Sequence, residues 1–319
     1  MSRPGLVTAL TALLLVACSP GAVAPTATAP RTAPGTPAVS ATSLGPNPER
    51  PTVSASPSTV RPPDLDRVVL AGGQRQWISC VGAGSPTVVV VSGLGATASM
   101  WSRVLAGFDA MSRTCVYDRP GLGNSPARTG PSRIDAGTHA RELRALLVAV
   151  GEPGPYLLVG HSYGALVVRA FARAYPTTVV AVLLVEGVYP GIQADYWAPY
   201  RHDWHEGGTV IDMAASAVAD GDGPHLGDRP LIVITAADPE PGAPAWVVAL
   251  WDRRQREAAA LSADSVHVLA LHSGHVVQRD QPAVVVEGAR ELLAAVRGAA
   301  RLPHCDRAWT AIGARCLIG

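Results

Sequence analysis

The stretch YLLVGHSYGALVVRAF, Tyr156 to Phe171, sets a serine between two glycines at the end of an apolar run. The pattern is G-x-S-x-G: Gly160, His161, Ser162, Tyr163, Gly164. In a chain with 32 glycines so short a pattern means little alone, and its flanks decide its weight. The run before it is short and apolar, as for a strand, and ALVVRAFARAYP after it has a helical pattern stopped by Pro176. A serine on a sharp strand-to-helix turn projects its hydroxyl over the carboxyl ends of the strands, where open α/β sheets bind ligands. Glycines on either side relieve the crowding of such a turn, and the helix N-terminus favours negative charge beside it.

Outward from Ser162, strand and helix patterns alternate. DRVVLAGGQRQWISCVGAG reads as a hairpin turning at Gly72 and Gly73, and PTVVVVSGLG as a strand buried on both faces. TCVYD, VVAVLLVEG, PLIVITAAD and SVHVLAL read as further strands. DAGTHARELRALLVAVG, AWVVALWDRRQREAAAL and QPAVVVEGARELLAAVRGAA read as helices. This alternation predicts an α/β fold with a mostly parallel sheet covered on both faces. One connection, about 188–228, is too long for a plain loop. It carries Tyr189, Tyr196, Trp197, Tyr200 and Trp204 and a helical pattern at VIDMAASAVA, and it is expected to form a small cap over a pocket.

A serine hydroxyl needs a base to act as a nucleophile. HSGHVVQRDQP supplies His272 and His275 after the final strand. His275 is the expected base, His272 is expected to be structural, and His161 is expected to pack below the serine. An oxyanion also needs donors. The backbone N–H groups of Leu94, in SGLGATASMW, and of Tyr163 are the expected pair. The remaining histidines lack a metal spacing such as H-E-x-x-H, and neither metal nor cofactor is expected.

With these residues in place, the chain resembles the α/β-hydrolase superfamily over roughly Asp64 to Ala299. VVVVSGLG, YDRPGLGNSP, GPYLLVGHSYGALVVRAFARAYP, LLVEGVYPG and LHSGHVVQRDQP fall in that family's order. The resemblance implies an eight-stranded, mostly parallel sheet with a cap inserted before the penultimate strands. It also implies a serine hydrolase, of carboxylesterase or lipase type, acting through an acyl-enzyme on Ser162. Dehalogenase and epoxide-hydrolase relatives carry aspartate in place of Ser162; peptidase, lyase and haloperoxidase activities stay open. Ser92 departs from the histidine more usual before the oxyanion glycine. Asp118 and Arg119 look like turn and sheet-edge residues rather than catalysts. The acid that orients His275 is either Glu186, in LLVEG, or Asp238, in ITAAD. The later strand is the commoner place, but its spacing is imperfect here, and Glu186 is favoured. The family fold makes the strands of Cys80 and Cys115 neighbours, which implies that disulfide and leaves Cys305 to pair with Cys316; three pairings are possible.

The remaining signals concern address. Net charge is +1 with no basic block, which argues against nucleic acid as a partner. Residues 1–18 have Arg3, an apolar stretch and then LVAC. This resembles a lipoprotein signal peptide with Cys18 as the lipidated residue; an ordinary signal peptide with an incidental cysteine is the alternative. Residues 19–63 are rich in Pro, Ala and Thr and are expected to be a disordered tether. The expected organisation is therefore signal 1–18, linker 19–63, hydrolase domain 64–299 and terminal segment 300–319. It implies a protein on the outer face of a bacterial membrane, held by a lipid and acting on a small-molecule or lipid ester. A catalytically silent, surface-anchored binding protein on the same fold is the rival reading.

Overall fold

Twelve strands and eight helices stand among the residues described by the computed structural model, which are 63–189, 204–220, 225–239, 242–303 and 307–318. The strands are β1 (Leu65–Ala71), β2 (Gln74–Val81), β3 (Thr87–Val91), β4 (Thr114–Tyr117), β5 (Arg133–Ile134), β6 (Tyr156–His161), β7 (Val179–Val185), β8 (Trp204–Glu206), β9 (Thr209–Ile211), β10 (Leu231–Ala236), β11 (Ser265–Ala270) and β12 (Ala314–Ile318). The helices are α1 (Ser102–Met111), α2 (Ala136–Ala149), α3 (Tyr163–Ala174), α4 (Met213–Asp220), α5 (Ala245–Ala259), α6 (Val277–Asp280), α7 (Pro282–Arg297) and α8 (Arg307–Ala311).

The main sheet runs β1-β2-β4-β3-β6-β7-β10-β11-β12. Its six central strands, β4 to β11, are parallel neighbours. The hairpin β1–β2 joins antiparallel at one edge and β12 antiparallel at the other. The sheet therefore has nine strands where the family resemblance implies eight. The extra strand, ARCLI, belongs to the expected terminal segment; it pairs with β11 and covers an edge that would otherwise offer free N–H and C=O groups.

Period-two alternation sorts each central strand onto two cores. Tyr156, Leu158, Val182 and Leu184 join one cluster with α2 and α3. Leu157, Val159, Leu183 and Val185 join the other with α1 and α7. Every residue of β3, β6 and β7 is buried, which is why these strands read as unbroken apolar runs. Cys80 and Cys115 lie directly opposite each other across β2 and β4 and form a disulfide. Cys316, on β12, is also disulfide-bonded; its expected partner Cys305 lies outside the described residues, as do Cys18, the signal 1–18, linker residues 19–62 and, in the cap, Tyr196, Trp197 and Tyr200.

The described part of the cap holds the hairpin β8–β9 and α4. The hairpin extends β5 into a second, three-stranded sheet, order β5-β9-β8, an arrangement with no signal in so short a strand as Arg133–Ile134. VIDMAASAVA is not one helix: Val210 and Ile211 are in β9, and α4 starts after Asp212, whose carboxylate accepts from the Ala215 amide at 2.9 Å.

Candidate active site

Ser162 occupies the turn between β6 and α3 with φ 51° and ψ −122°. A non-glycine residue at positive φ is strained, and such strain gathers at functional sites. Among the described residues only Ser162, Glu186 and Ala299 are non-glycine positions of this kind, and two of them meet here. The turn is tight: a Cβ on Gly164 would lie 2.2 Å from the Val91 carbonyl oxygen, so no side chain fits there.

Ser162 Oγ is 3.0 Å from His275 Nε2. His275 Nδ1 is 3.1 Å from Glu186 Oε2. Glu186 follows the last residue of β7 and is 5% exposed. Its other oxygen accepts from the Ala236 amide at 2.8 Å and from Trp251 Nε1 at 3.3 Å. A carboxylate at Nδ1 requires a proton on that nitrogen, which leaves Nε2 with a lone pair to accept the Ser162 proton. The three residues thus form a proton-transfer chain in the tautomer a base requires.

His275 itself is positioned from below. His161 Nε2 donates to the His275 carbonyl at 2.8 Å, and the two rings sit 4.9 Å apart. Burial, with the neighbouring His275, pulls the His161 pKa down to about 3, so this ring is neutral. His272, by contrast, is exposed just after β11, tied in through its amide to Gln281 Oε1 at 2.7 Å. Asp238, the other candidate acid, is exposed on the wall of the same cavity, and it is Glu186 that the structure brings to His275.

The loop after β3 approaches Ser162 closely. A Cβ on Gly93 would lie 2.9 Å from His161 Nδ1 and 3.2 Å from Ser162 Cβ, so glycine is needed for the approach. Neither the Leu94 nor the Tyr163 amide donates to another backbone group among the described residues. Above the serine lies a cavity of about 540 Å³ whose wall includes Val188, Tyr189, Trp204, Val247, Leu250 and Trp251. That volume suits a small organic ligand.

Comparison with known proteins supports the fold. The pattern of the alpha/beta hydrolase fold family matches residues 86–225, which includes the Ser162 turn. The chain has the α/β-hydrolase fold. An uncharacterized protein of Bacillus subtilis (strain 168), YqjL, is 26% identical over 215 residues, 64% of this chain and 82% of that protein. RutD of Escherichia coli O127:H6, a candidate carbamate hydrolase, is 39% identical over 105 residues, 33% of this chain and 39% of that protein. The structure of a malate-bound thermophilic esterase from Thermogutta terrifontis has the same fold, with TM-score 0.54 and 19% identity over 74% of this chain and 99% of that one.

The fold also holds a second charged cluster that the sequence did not disclose. Arg119, expected as a turn residue at the sheet edge, is 2% exposed and forms a two-pronged ion pair with Glu206 of the cap hairpin. Arg119 does sit at the turn after β4, and the pair has no local signal because the partner lies 87 residues away on a strand of three residues. Burial works to raise the Glu206 pKa, and the adjacent guanidinium outweighs it, holding the carboxyl down at about 2. His139 of α2 packs against the pair, with Nε2 3.6 Å from Glu206 and Nδ1 3.0 Å from the Tyr163 hydroxyl. Burial pulls the His139 pKa down to about 3 despite Glu206, and burial pushes the Tyr163 phenol up. Asp118 does behave as a turn residue, accepting from the Ala98 and Asn124 amides at 2.7 and 2.9 Å.

Proposed function

We propose that this protein is a serine hydrolase that cleaves a carboxylic ester through an acyl-enzyme on Ser162. The observation that carries the reading is the continuous chain Ser162 Oγ, His275 Nε2, His275 Nδ1, Glu186 Oε2, with links of 3.0 and 3.1 Å. Ser162 Oγ attacks the carbonyl carbon while its proton passes to His275 Nε2. Glu186 stabilises the resulting imidazolium, and the Leu94 and Tyr163 amides receive the oxyanion. The C–O bond to the alcohol breaks, and the alkoxide takes the proton from Nε2. Water, deprotonated by His275, then attacks the acyl-enzyme, and the acid departs as Ser162 regains its proton.

The cavity supports an ester whose acyl or alcohol part is apolar and of modest size. Hydrolysis of p-nitrophenyl esters of increasing chain length tests this: rates should rise and then fall as the cavity fills, and no turnover of any ester by folded protein would sink the ester reading. A carbamate is the second reading, favoured by the local likeness to RutD. Its carbonyl is open to the same attack, and ammonia release from carbamate without ester turnover would select it. Residues 1–18 support export and attachment through a lipid on Cys18; Cys18→Ala should free the protein from membranes and leave hydrolysis unchanged.

A further inference from the structure

The Arg119–Glu206 pair touches three successive peptide groups of one loop, and that loop carries one of the two amides assigned to the oxyanion. Arg119 Nη1 donates to the Ser92 carbonyl at 2.7 Å and Nη2 to the Gly93 carbonyl at 2.6 Å. Glu206 Oε2 accepts from the Gly95 amide at 3.0 Å. Within the pair, Nε to Oε1 and Nη2 to Oε2 are both 2.6 Å.

A peptide group is planar, and in its trans form the C=O and the next N–H point to opposite sides. Fixing one end of the plane therefore fixes the other. The carbonyl of Gly93 and the N–H of Leu94 belong to the same peptide group, and that group is trans. With the Gly93 oxygen held on Arg119, the Leu94 N–H must point away from the guanidinium. The neighbouring groups are held too, one through the Ser92 oxygen and the other through the Gly95 nitrogen. The peptide of an oxyanion donor can flip at little local cost in a glycine-rich loop, and here its flip would break a charge-assisted hydrogen bond in a buried site.

We propose that Arg119 and Glu206 are positioning residues for the oxyanion site: the pair locks the Leu94 N–H toward Ser162. Because Glu206 belongs to the cap, the cap hairpin is part of the catalytic apparatus as well as a wall of the substrate cavity. The inference rests on the Ser162 reading given above. It assigns neither residue a contact with substrate. It explains why an ion pair is kept where both side chains are almost wholly removed from water, 2% and 1% exposed, a placement that is rarely the most stable use of such a site.

The test compares wild type with two variants in steady-state hydrolysis of p-nitrophenyl acetate, each rate normalised to the sites that a fluorophosphonate labels at saturation. Glu206→Gln removes the charge and keeps the shape. Arg119→Met/Glu206→Leu removes both charges together, an exchange that buried pairs commonly tolerate, and it decides the matter if the single variant does not fold. The expected result is a fall in kcat of roughly 100-fold, as for loss of one oxyanion donor. KM should stay within about threefold, and affinity for a trifluoromethyl ketone, which mimics the oxyanion, should fall in step with kcat. A purely structural pair would lower the number of labelled sites and leave kcat per site unchanged; that result, or equal loss of substrate and ketone binding, overturns the lock alone. A folded wild type that neither turns over nor labels overturns the Ser162 reading, and the lock with it.

Discussion

Two buried carboxylates flank Ser162, and they differ in the partner each has been given. Glu186 faces His275, a side chain that gains and loses a proton, at the floor of an open cavity. Glu206 faces Arg119, a side chain that never loses its charge, and is sealed from water between the sheet and the cap. The first pair is arranged for a charge that comes and goes; the second is arranged for a charge that stays. A permanent, desolvated pair suits the holding of backbone, and a pair that includes a partly exposed histidine suits the movement of protons. On the proposed reading the same functional group serves two purposes within one site, and the partner decides which.

The largest effect should come from breaking the first pair. Glu186→Gln keeps the side-chain volume but offers His275 Nδ1 a weaker, neutral partner, and kcat should fall roughly 10²–10⁴-fold with the fold intact. Stopped-flow or steady-state hydrolysis at neutral pH checks it, and a loss below about threefold would mean that another acid serves His275.

A perturbation outside both pairs calibrates them. The Cys80–Cys115 disulfide closes a separation of 35 residues and ties β2 to β4. Replacing both cysteines by alanine should cost about 3–4 kcal/mol of stability. It should lower the thermal midpoint and leave kcat at 25 °C within about twofold. A large change in kcat at constant fold would tie this edge of the sheet to the site unexpectedly.

Acid separates the two regions in another way. His139, beside the sealed pair, and His161, beneath His275, are held neutral by burial down to about pH 3, against an unfolded value of 6.5. Between these limits the unfolded chain binds protons that the folded chain refuses. Their contribution is therefore complete above pH 6.5 and is lost as pH falls toward 3, at about 1.4 kcal/mol per pH unit for each ring. Glu206 acts in the same direction lower down, since its pKa is depressed from 4.5 to about 2. Thermal midpoints measured from pH 7 to pH 4 should decline, and His139→Gln should flatten the decline by about one proton. An unchanged slope in that variant would show that His139 is not the group refusing the proton.

The smallest effect is expected at Asp238. Its exposed carboxylate stands on the cavity wall while Glu186 holds His275, so Asp238→Asn should alter kcat by no more than about twofold. A loss comparable to that of Glu186→Gln would restore Asp238 as the orienting acid.

Much of the first pair was legible in the sequence and almost none of the second. Ser162 announces itself because a strand, a G-x-S-x-G turn and a helix are contiguous, and local order is what sequence periodicity reports. His275 follows a strand whose place in the chain is equally plain. Glu186 could be narrowed to one of two carboxylates, each ending an apolar run, and only the strand geometry separates them: β7 is the direct neighbour of β6, whereas Asp238 lies beyond the end of β10, one strand further out. Arg119 and Glu206 carry no local mark. Glu206 sits on a three-residue strand in the cap, and its pairing with Arg119 is wholly a matter of tertiary placement. The edge strand β12 escaped for a similar reason: ARCLI is short, and its register is set by β11 rather than by its own pattern.

The central claim is that Ser162 is the residue acylated. Intact-mass and peptide mass spectrometry after treatment with a fluorophosphonate tests it without any knowledge of the natural substrate. Wild type should gain one phosphonyl group, located on Ser162, and Ser162→Ala and His275→Ala should gain none on the same timescale. A folded wild type that stays unmodified, or a label that persists in Ser162→Ala, would contradict it.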